Sequence, residues 1–282
     1  MTNEEVKASI ILPCYNEEES LETVYNDIQT TMKKYDYEYE IIIIDDCSTD
    51  RTAEIAKSLD VRYFRNENNM GAGASRKVGI AKSKYEIIVY LDADCTYSAE
   101  DIPRLLRHFP ESDHVNGYRD REMGYFRPLR KFVKALSRYL ASLLVWEYIA
   151  DLNTGLKAFK KAKIVPYLHL TPPGFSCVTT MTLIAYCTGQ KVSYITTHYK
   201  LRVGDSKFHP VIDTFRLFLT IFRTVGYLNP LRLILFIATV TSVPLVFRYM
   251  TNPFMAFITA SSISGLFILI SMYTAKDNMR FE

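Results

Sequence analysis

Runs of apolar residues alternate with amphipathic segments along the first hundred residues. Four runs rich in β-branched and aromatic residues predict strands buried on both faces: "ASIILP", "YEIIIIDD", "VRYF" and "EIIVYLDAD". Between them, residues 17–35, 49–59 and 74–82 have the spacing of helices. The alternation predicts an α/β fold with a mixed, mostly parallel sheet and helices on both faces.

The pattern is less regular after residue 111. "HVNGYR" and "KVSYITTHYKLR" predict two more strands, and "TGLKAF" predicts a short extended segment. Residues 127–148 and the segment "FSCVTTMTLIAYC" predict helices. These elements would complete the same α/β domain.

The hydrophobic pattern changes after residue 208. Apolar side chains recur at helical spacing over 211–222, which predicts an amphipathic helix in a membrane interface over 208–229. Uncharged runs follow at 233–247 and 253–273, and the second has about the 20 residues that a spanning helix needs. An ordinary surface helix and a pair of buried core helices are the alternatives.

Basic residues flank the two uncharged runs. Arg232 precedes them, Lys276 and Arg280 follow them, and Arg248 lies between them. By the positive-inside bias both flanks face the cytosol, so we expect an integral membrane protein with both termini cytosolic. The predicted segments are a cytosolic domain (1–207), an interfacial helix (208–229), a transmembrane helical hairpin (230–275) and a cytosolic tail (276–282).

Composition narrows the class of protein. The chain has 282 residues, 48% of them hydrophobic, and a net charge of only +3, so no nucleic-acid partner is expected. The five cysteines have neither metal-ligand spacing nor a disulfide pattern, and the first twenty residues do not have the pattern of a secretory leader. Both observations predict a reduced, cytosolic compartment for the soluble part.

Polar segments follow three of the predicted strands. "PCYNE" follows the first strand, "DDCSTD" the second and "DAD" the fourth. In parallel sheets ligands collect at the carboxyl ends of strands, so these acid-bearing ends predict one site.

Asp92 and Asp94 would repel each other unless a cation, a basic side chain or open water lies beside them. A divalent cation is favoured, because Mg²⁺ and Mn²⁺ accept carboxylate oxygens and keep positions for substrate phosphates. A nucleotide diphosphate is the natural partner of such an ion. The glycines of "NNMGAGASRK" are compatible with a phosphate loop, but a tight strand-to-helix turn is the favoured interpretation.

The motifs occur in an order that resembles a known family. "ASIILPCYNEEESL", "IIIIDDCSTDRT", "NNMGAGASRKVGI", "VYLDADCTYSAEDIPRLL", "DLNTGLKAFKK", "GFS" and "LRVGDSKFHP" are similar to segments of family 2 glycosyltransferases of the GT-A fold. More narrowly, the chain resembles polyprenyl-phosphate sugar transferases, including dolichyl-phosphate mannose and glucose synthases. The resemblance covers about residues 8 to 210.

The resemblance implies roles for residues on the donor side. The implied donor site has three parts: residues around the nucleoside, residues that hold the metal with the donor diphosphate, and a basic loop that closes over the diphosphate. A guanidinium suits such a phosphate contact, and Gly204 is a possible hinge of the loop. The implied residues are Pro13, Tyr15, Glu17 and Asp46 for the nucleoside, Asp92 and Asp94 for Mg²⁺ or Mn²⁺, and Arg202, Ser206 and Lys207 in the loop.

Two departures from the family pattern refine the expected reaction. Dolichyl-phosphate mannose synthases commonly have glutamine where this chain has Thr96, which favours UDP-glucose or another UDP-sugar over GDP-mannose as donor. The Q-x-x-R-W motif of processive synthases is absent, since the only tryptophan is Trp146 in "LVWEYIA". One sugar per turnover is expected.

The expected acceptor is a polyprenyl or dolichyl phosphate. Its oxygen is already anionic, so attack with inversion needs positioning cations more than a strong base. Arg119 fits the family position best, whereas a basic helix beside a membrane also binds anionic headgroups. Asp151 in "DLNTG" is assigned to catalysis with Asp94 and Arg119, and acceptor orientation and loop support both remain open for it. The acceptor-phosphate candidates are Arg119, Arg127, Arg130 and Lys131.

Two other functions remain in view. A transferase acting on diacylglycerol or ceramide would need a base to deprotonate a hydroxyl. A non-catalytic membrane scaffold for glycolipids would not need the acids at the strand ends. Self-association is also possible, because "SSISG" is a weak small-residue packing signal.

Overall fold

The computed structural model describes residues 6–35, 37–122, 128–200 and 210–249. These residues form a central sheet of seven strands: β1 (Lys7–Cys14), β2 (Glu38–Asp45), β3 (Arg62–Arg65), β4 (Ile87–Tyr90), β5 (His114–Glu122), β6 (Lys157–Lys160) and β7 (Val192–Tyr199). The strand order in the sheet is β3-β2-β1-β4-β6-β5-β7.

The sheet is mixed and mostly parallel, as the sequence predicts. β1 pairs in parallel with β2 and β4, β2 pairs in parallel with β3, and β5 pairs in parallel with β7. Only β6 runs antiparallel to its neighbours, β4 and β5. The carboxyl ends of β1, β2 and β4 therefore meet at one edge of the sheet, which is called the rim below.

Helices surround the sheet, and the seven longest coincide with segments predicted to be helical. Two short α-helices, over Asp101–Leu106 and Lys161–Ile164, and a 3-10 helix over Val165–Leu170 were not predicted. The α-helices are α1 (Leu21–Met32), α2 (Thr52–Ser58), α3 (Ala72–Lys82), α4 (Asp101–Leu106), α5 (Pro128–Val145), α6 (Lys161–Ile164), α7 (Cys177–Cys187), α8 (Pro210–Leu228) and α9 (Pro230–Tyr249).

The central strands are buried on both faces because successive side chains alternate between two apolar layers. Ile10 of β1 packs with Ile28 of α1 and Ile102 of α4 in one cluster. Ile11 packs with Ile80 of α3 and Ile184 of α7 in the other. Each fully buried side chain of this size contributes roughly 1.5–3 kcal/mol, so the central apolar runs fix the strand positions.

A third apolar cluster joins α5, α7, β7, α8 and α9. Ile221 and Val225 of α8 are buried in it, so one face of the predicted interfacial helix packs on the domain. Phe215 and Leu219 of the same helix are 65% and 52% exposed. The helix therefore combines the packing of an ordinary surface helix with an exposed apolar face.

The first uncharged run lies within α9. Over the part of the chain that the structure describes, no helix has the length and hydropathy needed to cross a membrane. The second run, 253–273, lies outside the described residues. The transmembrane hairpin therefore stays a prediction.

Candidate active site

Three residues just beyond the strand ends have left-handed backbone conformations. Asn16 follows β1 with φ of 53°, Cys47 follows β2 with φ of 64°, and Cys95 lies beyond β4 with φ of 60°. Such angles are uncommon outside glycine, and they concentrate at functional sites. Their clustering agrees with the prediction of one site at this rim.

Side chains at the rim bond the loops after β1 and β2 to each other. Asn16 accepts a hydrogen bond at Oδ1 from the N–H of Thr49 at 2.8 Å, and its own N–H donates to Ser48 Oγ at 3.0 Å. The Glu17 N–H donates to Thr52 Oγ1 at 2.8 Å. Pro13, Tyr15 and Glu17, the predicted nucleoside residues of the first loop, are partly buried beside these bonds.

Asp46, the other predicted nucleoside residue, is buried and holds the glycine-containing loop. Its Oδ1 accepts hydrogen bonds from Asn66 Nδ2 at 2.7 Å and from the Met70 N–H at 3.0 Å. Its Oδ2 accepts one from the Gly71 N–H at 2.7 Å. Both oxygens are thus used within the protein, and a nucleoside contact of Asp46 stays a prediction.

The start of α3 makes a tight backbone turn. Gly71 has a φ of 92°, which L side chains rarely adopt. The N–H groups of Gly73 and Ala74 donate to the Pro173 carbonyl at 2.6 and 3.1 Å. These donors are satisfied by the protein itself, which supports a strand-to-helix turn rather than a phosphate cradle.

A basic side chain contacts the first of the paired carboxylates. Arg76 of α3 donates from Nη2 to Asp92 Oδ1 at 2.5 Å. Burial alone would lower the pKa of Arg76, but Asp92 and other neighbours outweigh burial and the pKa is raised. Of the three neighbours that the paired acids predict, a cation, a basic side chain or open water, a basic side chain is present beside Asp92.

Asp94 is held by Thr96. Its Oδ1 accepts hydrogen bonds from Thr96 Oγ1 at 2.5 Å and from the Thr96 N–H at 3.2 Å. Asp94 is 6% exposed and Thr96 is fully buried. Thr96 at the glutamine position of the family motif therefore orients the second carboxylate.

The carboxylates Asp92 and Asp94 fit a hard divalent ion by their chemistry. Oxygen donors suit Mg²⁺ and Mn²⁺, which keep several positions for water and substrate. Within the described ranges, no three His, Cys, Asp or Glu side chains are arranged to hold a metal by themselves. The donor set therefore suits an ion whose remaining positions are filled by water and the phosphates of a substrate.

Arg119 and Asp151, predicted as catalytic residues, form a bidentate ion pair. Arg119 donates from Nε to Asp151 Oδ2 at 2.6 Å and from Nη2 to Oδ1 at 2.8 Å. Burial would raise the pKa of Asp151, but Arg119 more than offsets burial and the pKa is lowered. Asp151 thus stays ionised and orients Arg119.

Tyr97 and Tyr199, which sequence analysis missed, connect the two pairs of charged residues. The Gly155 N–H donates to Tyr97 Oη at 2.9 Å, and the Tyr97 ring lies edge-on to Tyr199 with centroids 5.1 Å apart. The Arg119 guanidinium lies 5.4 Å from the Tyr199 ring centroid. Burial raises the pKa of Tyr97, and nearby Asp92 and Asp151 add to the rise, so its hydroxyl stays protonated.

A cavity of about 220 Å³ lies between α5 and the segment 150–153. Its lining includes three basic side chains and one carboxylate. Lys134 and Arg138 were not among the predicted site residues, although their i, i+4 spacing on a predicted helix places them on one face. The polar lining residues are Tyr118, Arg119, Lys134, Arg138, Asp151 and Asn153.

Several predicted site residues are not described. Arg127, Arg202, Ser206 and Lys207 lie outside the described residues. Arg130 and Lys131 lie in α5, but their side chains are not described. The phosphate contacts assigned to these six residues stay predictions. The described residues that the structure does bring together are Asp92, Asp94, Arg119 and Asp151.

The α/β fold with paired carboxylates at its rim is typical of a glycosyltransferase, and similarity to known proteins identifies the family. A family profile for "Glycosyl transferase family 2" matches residues 9–165. This match covers more than half of the chain, and the chain belongs to this family of glycosyltransferases. The resemblance inferred from the sequence motifs is confirmed.

Sequence relatives include three enzymes named for polyprenyl phosphates. The dodecaprenyl-phosphate galacturonate synthase of Rhizobium johnstonii is 25% identical over 81% of this chain and 70% of its own length. The dolichol-phosphate mannosyltransferase of Pyrococcus furiosus is 27% identical over 72% of this chain, which matches only 59% of that protein. An undecaprenyl-phosphate 4-deoxy-4-formamido-L-arabinose transferase of Photorhabdus laumondii is 27% identical over 84% of this chain and 73% of its own length.

Similar solved structures include glucosyl-3-phosphoglycerate synthase from Mycobacterium tuberculosis. Its complex with Mn²⁺, UDP and glucosyl-3-phosphoglycerate aligns with a TM-score of 0.62 and 18% identity over 78% of this chain and 80% of that chain. Its complex with phosphoglyceric acid gives the same values. This similarity establishes the GT-A-like α/β fold.

Proposed function

We propose that this enzyme transfers one sugar from a nucleotide-diphosphate sugar to a polyprenyl or dolichyl phosphate. The observation that carries the proposal is the basic cavity beside the rim, because Arg119, Lys134 and Arg138 converge on it. Cationic side chains, and guanidinium groups above all, suit phosphate oxygens. The acceptors in the names of the three sequence relatives support the same substrate class.

The donor side of the proposed site is the rim around Asp92 and Asp94. These carboxylates would hold Mg²⁺ or Mn²⁺ with the donor diphosphate, and the bound ion would offset the charge that develops on the leaving nucleotide. Pro13, Tyr15, Glu17 and Asp46 would surround the nucleoside, in line with the family pattern. The hydrogen bonds from Thr96 to Asp94 fix one carboxylate for this task.

A UDP-sugar, UDP-glucose in particular, is the favoured donor in this proposal. The reason is Thr96, which stands where mannose-type relatives commonly have glutamine and which is committed to Asp94. The three relatives carry different sugars in their names, so they leave the choice of sugar open. A donor panel therefore belongs in the first experiment.

The proposed reaction is a single displacement. An acceptor phosphate oxygen attacks the anomeric carbon, the bond from that carbon to the donor phosphate breaks, and the configuration inverts. The acceptor oxygen is anionic at neutral pH, so a general base to remove a proton is not required. Arg119, held by Asp151, would position the phosphate with Lys134 and Arg138, and the chain would release the product after one transfer.

Membrane attachment is part of the proposal, because the acceptor is a lipid. The exposed apolar side chains Phe215 and Leu219 on α8 and Ile234 on α9 support it, as does the uncharged run at 253–273. The catalytic domain and both termini would face the cytosol, and copies would self-associate in the bilayer. Membranes washed with alkaline carbonate should retain the protein, and detergent should release it.

The test of function uses the purified full-length protein in detergent with a panel of UDP- and GDP-sugars. Acceptors would be a polyprenyl phosphate, the matching polyprenol, diacylglycerol and ceramide, each with Mg²⁺ or Mn²⁺, and lipid products would be identified by mass spectrometry. One sugar added to the phosphate acceptor alone, lost with EDTA and with Asp94→Asn, is the expected result. The matched control is Asp113→Asn, which changes a partly buried carboxylate that pairs with Lys160 and Lys163 and lies just before β5, and it should remain active.

Other products would redirect the proposal. A glycosylated diacylglycerol or ceramide would replace the phosphate acceptor by a hydroxyl acceptor. If the protein is folded and membrane-associated but gives no product with any donor and acceptor, the transferase proposal fails. That result would favour a non-catalytic membrane scaffold.

A further inference from the structure

We propose that Arg76 is a positioning residue of the transfer site, which fixes the Asp92 carboxylate against Gly155. The proposal rests on the proposed function, since it concerns the binding of metal and donor at the same rim. It gives a specific task to the "NNMGAGASRK" segment, whose backbone donors are already used within the protein. That task is to deliver one buried cation to the first carboxylate of the pair.

Arg76 is buried and has few partners besides Asp92. Its side chain is 5% exposed, and Asp92 is the carboxylate that pairs with it across 2.5 Å. The remaining contacts are weak: Cys177 Sγ lies 3.9 Å from Nη1, and the Tyr90 ring centroid lies 5.5 Å from the guanidinium carbon. Over the described part of the chain, Nε has no hydrogen-bond partner. A buried guanidinium with so few partners strongly favours keeping Asp92 in place.

The other oxygen of Asp92, Oδ2, lies close to the backbone of Gly155. A Cβ atom added to Gly155 would lie 2.1 Å from Asp92 Oδ2 and 2.9 Å from Cγ. The Asp92 carboxylate therefore lies between the Arg76 guanidinium on one side and the backbone of Gly155 on the other. Two constraints on opposite oxygens leave it one orientation.

Gly155 connects Asp92 to the ion pair of Arg119 and Asp151. Its N–H donates to Tyr97 Oη, and Tyr97 packs against Tyr199, beside which Arg119 and Asp151 lie. Asp92 thus links the helix α3 to the segment that carries the acceptor-side ion pair. Releasing Asp92 should disturb metal-dependent donor binding at the neighbouring Asp94, because both carboxylates lie on one short segment.

The experiment measures binding without an acceptor. Full-length wild-type protein and the variants Arg76→Met, Arg76→Lys and Gly155→Ala would be titrated with Mn²⁺ at fixed UDP or GDP, using calorimetry and the electron paramagnetic resonance signal of free Mn²⁺. Arg76→Met and Gly155→Ala should each raise the Mn²⁺ concentration for half-saturation about tenfold. Arg76→Lys should recover part of the loss. Arg62→Met, which breaks a surface pair with Glu40, is the control and should bind like wild type.

The double variant Arg76→Met/Gly155→Ala separates positioning from general stability. If both changes act through the orientation of Asp92, the double variant should bind Mn²⁺ no more weakly than the single variant that binds it less tightly. If Arg76→Met does not fold, the Mn²⁺ titrations of Arg76→Lys and Gly155→Ala still test the proposal.

Two results would overturn the proposal. An unchanged Mn²⁺ half-saturation in folded variants, with only a lower melting temperature, would make Arg76 purely structural. Fully additive losses in the double variant would show that Arg76 and Gly155 act separately. If the wild-type protein binds neither nucleotide with any metal, the proposed function itself fails, and this role of Arg76 fails with it.

Discussion

Arg119 and Asp151 face each other through two hydrogen bonds, at 2.6 and 2.8 Å, with only 9% and 11% of their side chains exposed. The cation that best fits acceptor binding is therefore already matched by a carboxylate. Lys134 and Arg138 also line the cavity, so its described lining holds three basic side chains and one carboxylate. In the proposed function these basic side chains would attract an anionic acceptor.

Asp151→Asn should destabilise the protein, because it removes the carboxylate charge that pairs with the buried Arg119 through two hydrogen bonds. We expect the free energy of unfolding at pH 7 to fall by about 3 kcal/mol. Chemical denaturation of the detergent-solubilised protein measures it. Asp113→Asn, which breaks a more exposed pair with Lys160, should cost less than about 1 kcal/mol. Equal losses in the two variants would contradict the importance of the Arg119–Asp151 pair.

The same pair predicts a pH dependence. The pKa of Asp151 is lowered in the folded protein, so its contribution to stability is present above the unfolded pKa of about 3.9. The contribution is lost as the pH falls through the lower, folded pKa. The difference in unfolding free energy between wild type and Asp151→Asn should therefore be constant from pH 7 to 5 and shrink below about pH 4. A difference that shrinks already at pH 6 would show that another group is responsible.

Lys134→Gln and Arg138→Gln should each weaken binding of the acceptor and leave binding of the donor unchanged. Each removes one positive charge from the cavity, so we expect the KM for polyprenyl phosphate to rise about fivefold to tenfold, equivalent to about 1 kcal/mol. The KM for the nucleotide sugar should stay unchanged. Steady-state kinetics with both substrates varied tests this, and Lys33→Gln on an exposed helix end is the control. If both variants keep the wild-type acceptor KM, the cavity is not the acceptor site.

Gly73→Ala should be destabilising, and Gly174→Ala should be neutral. A Cβ atom on Gly73 would lie 2.3 Å from the Pro172 carbonyl oxygen and 2.8 Å from that of Gly174, so backbone would have to move. A Cβ atom on Gly174 would meet no atom within 4 Å. We expect a loss of roughly 1–3 kcal/mol for the first variant and less than about 0.5 kcal/mol for the second, from thermal or chemical unfolding. A neutral Gly73→Ala would show that the loop is less tightly packed than the structure has it.

The strands could be predicted well because their apolar runs are long and buried on both faces. Ile41 to Ile44 form an uninterrupted run in β2, and a run of this kind fits a central strand whatever lies around it. The antiparallel direction of β6 could not be predicted, since "TGLKAF" carries no information about which strands flank it. Strand direction follows from the path of the chain through α5 and the segment after it.

The candidate site was only partly predictable for a similar reason. Asp92 and Asp94 stand out in the sequence because acids follow a buried strand directly. The pairing of Asp92 with Arg76 depends on the packing of α3 against the sheet, and no spacing in the sequence indicates it. Lys134 and Arg138 do share a helix face in the sequence, but only the fold brings that face to Asp151.

Lys157 provides a prediction that is independent of function. It is fully buried in β6, and its ammonium donates to the Val178 carbonyl and to Thr182 Oγ1, both at 2.9 Å. Burial lowers its pKa to about 7, whereas the unfolded chain keeps the ordinary value near 10.4. Between these values the unfolded state binds more protons than the folded state, so this group makes stability rise with pH.

Lys157→Met should remove that slope. The unfolding free energy of wild type minus that of Lys157→Met should rise from pH 7 to pH 9.5, by at most about 1.4 kcal/mol per pH unit. Groups that titrate in both proteins cancel in this difference. Thr182 Oγ1 also donates to the Val178 carbonyl, so these two groups keep each other as partners in the variant. The exposed Lys33→Met is the control and should give a flat difference. A flat difference for Lys157→Met as well would mean that the ammonium remains charged at pH 9.5, and that its two oxygen partners outweigh the cost of burial.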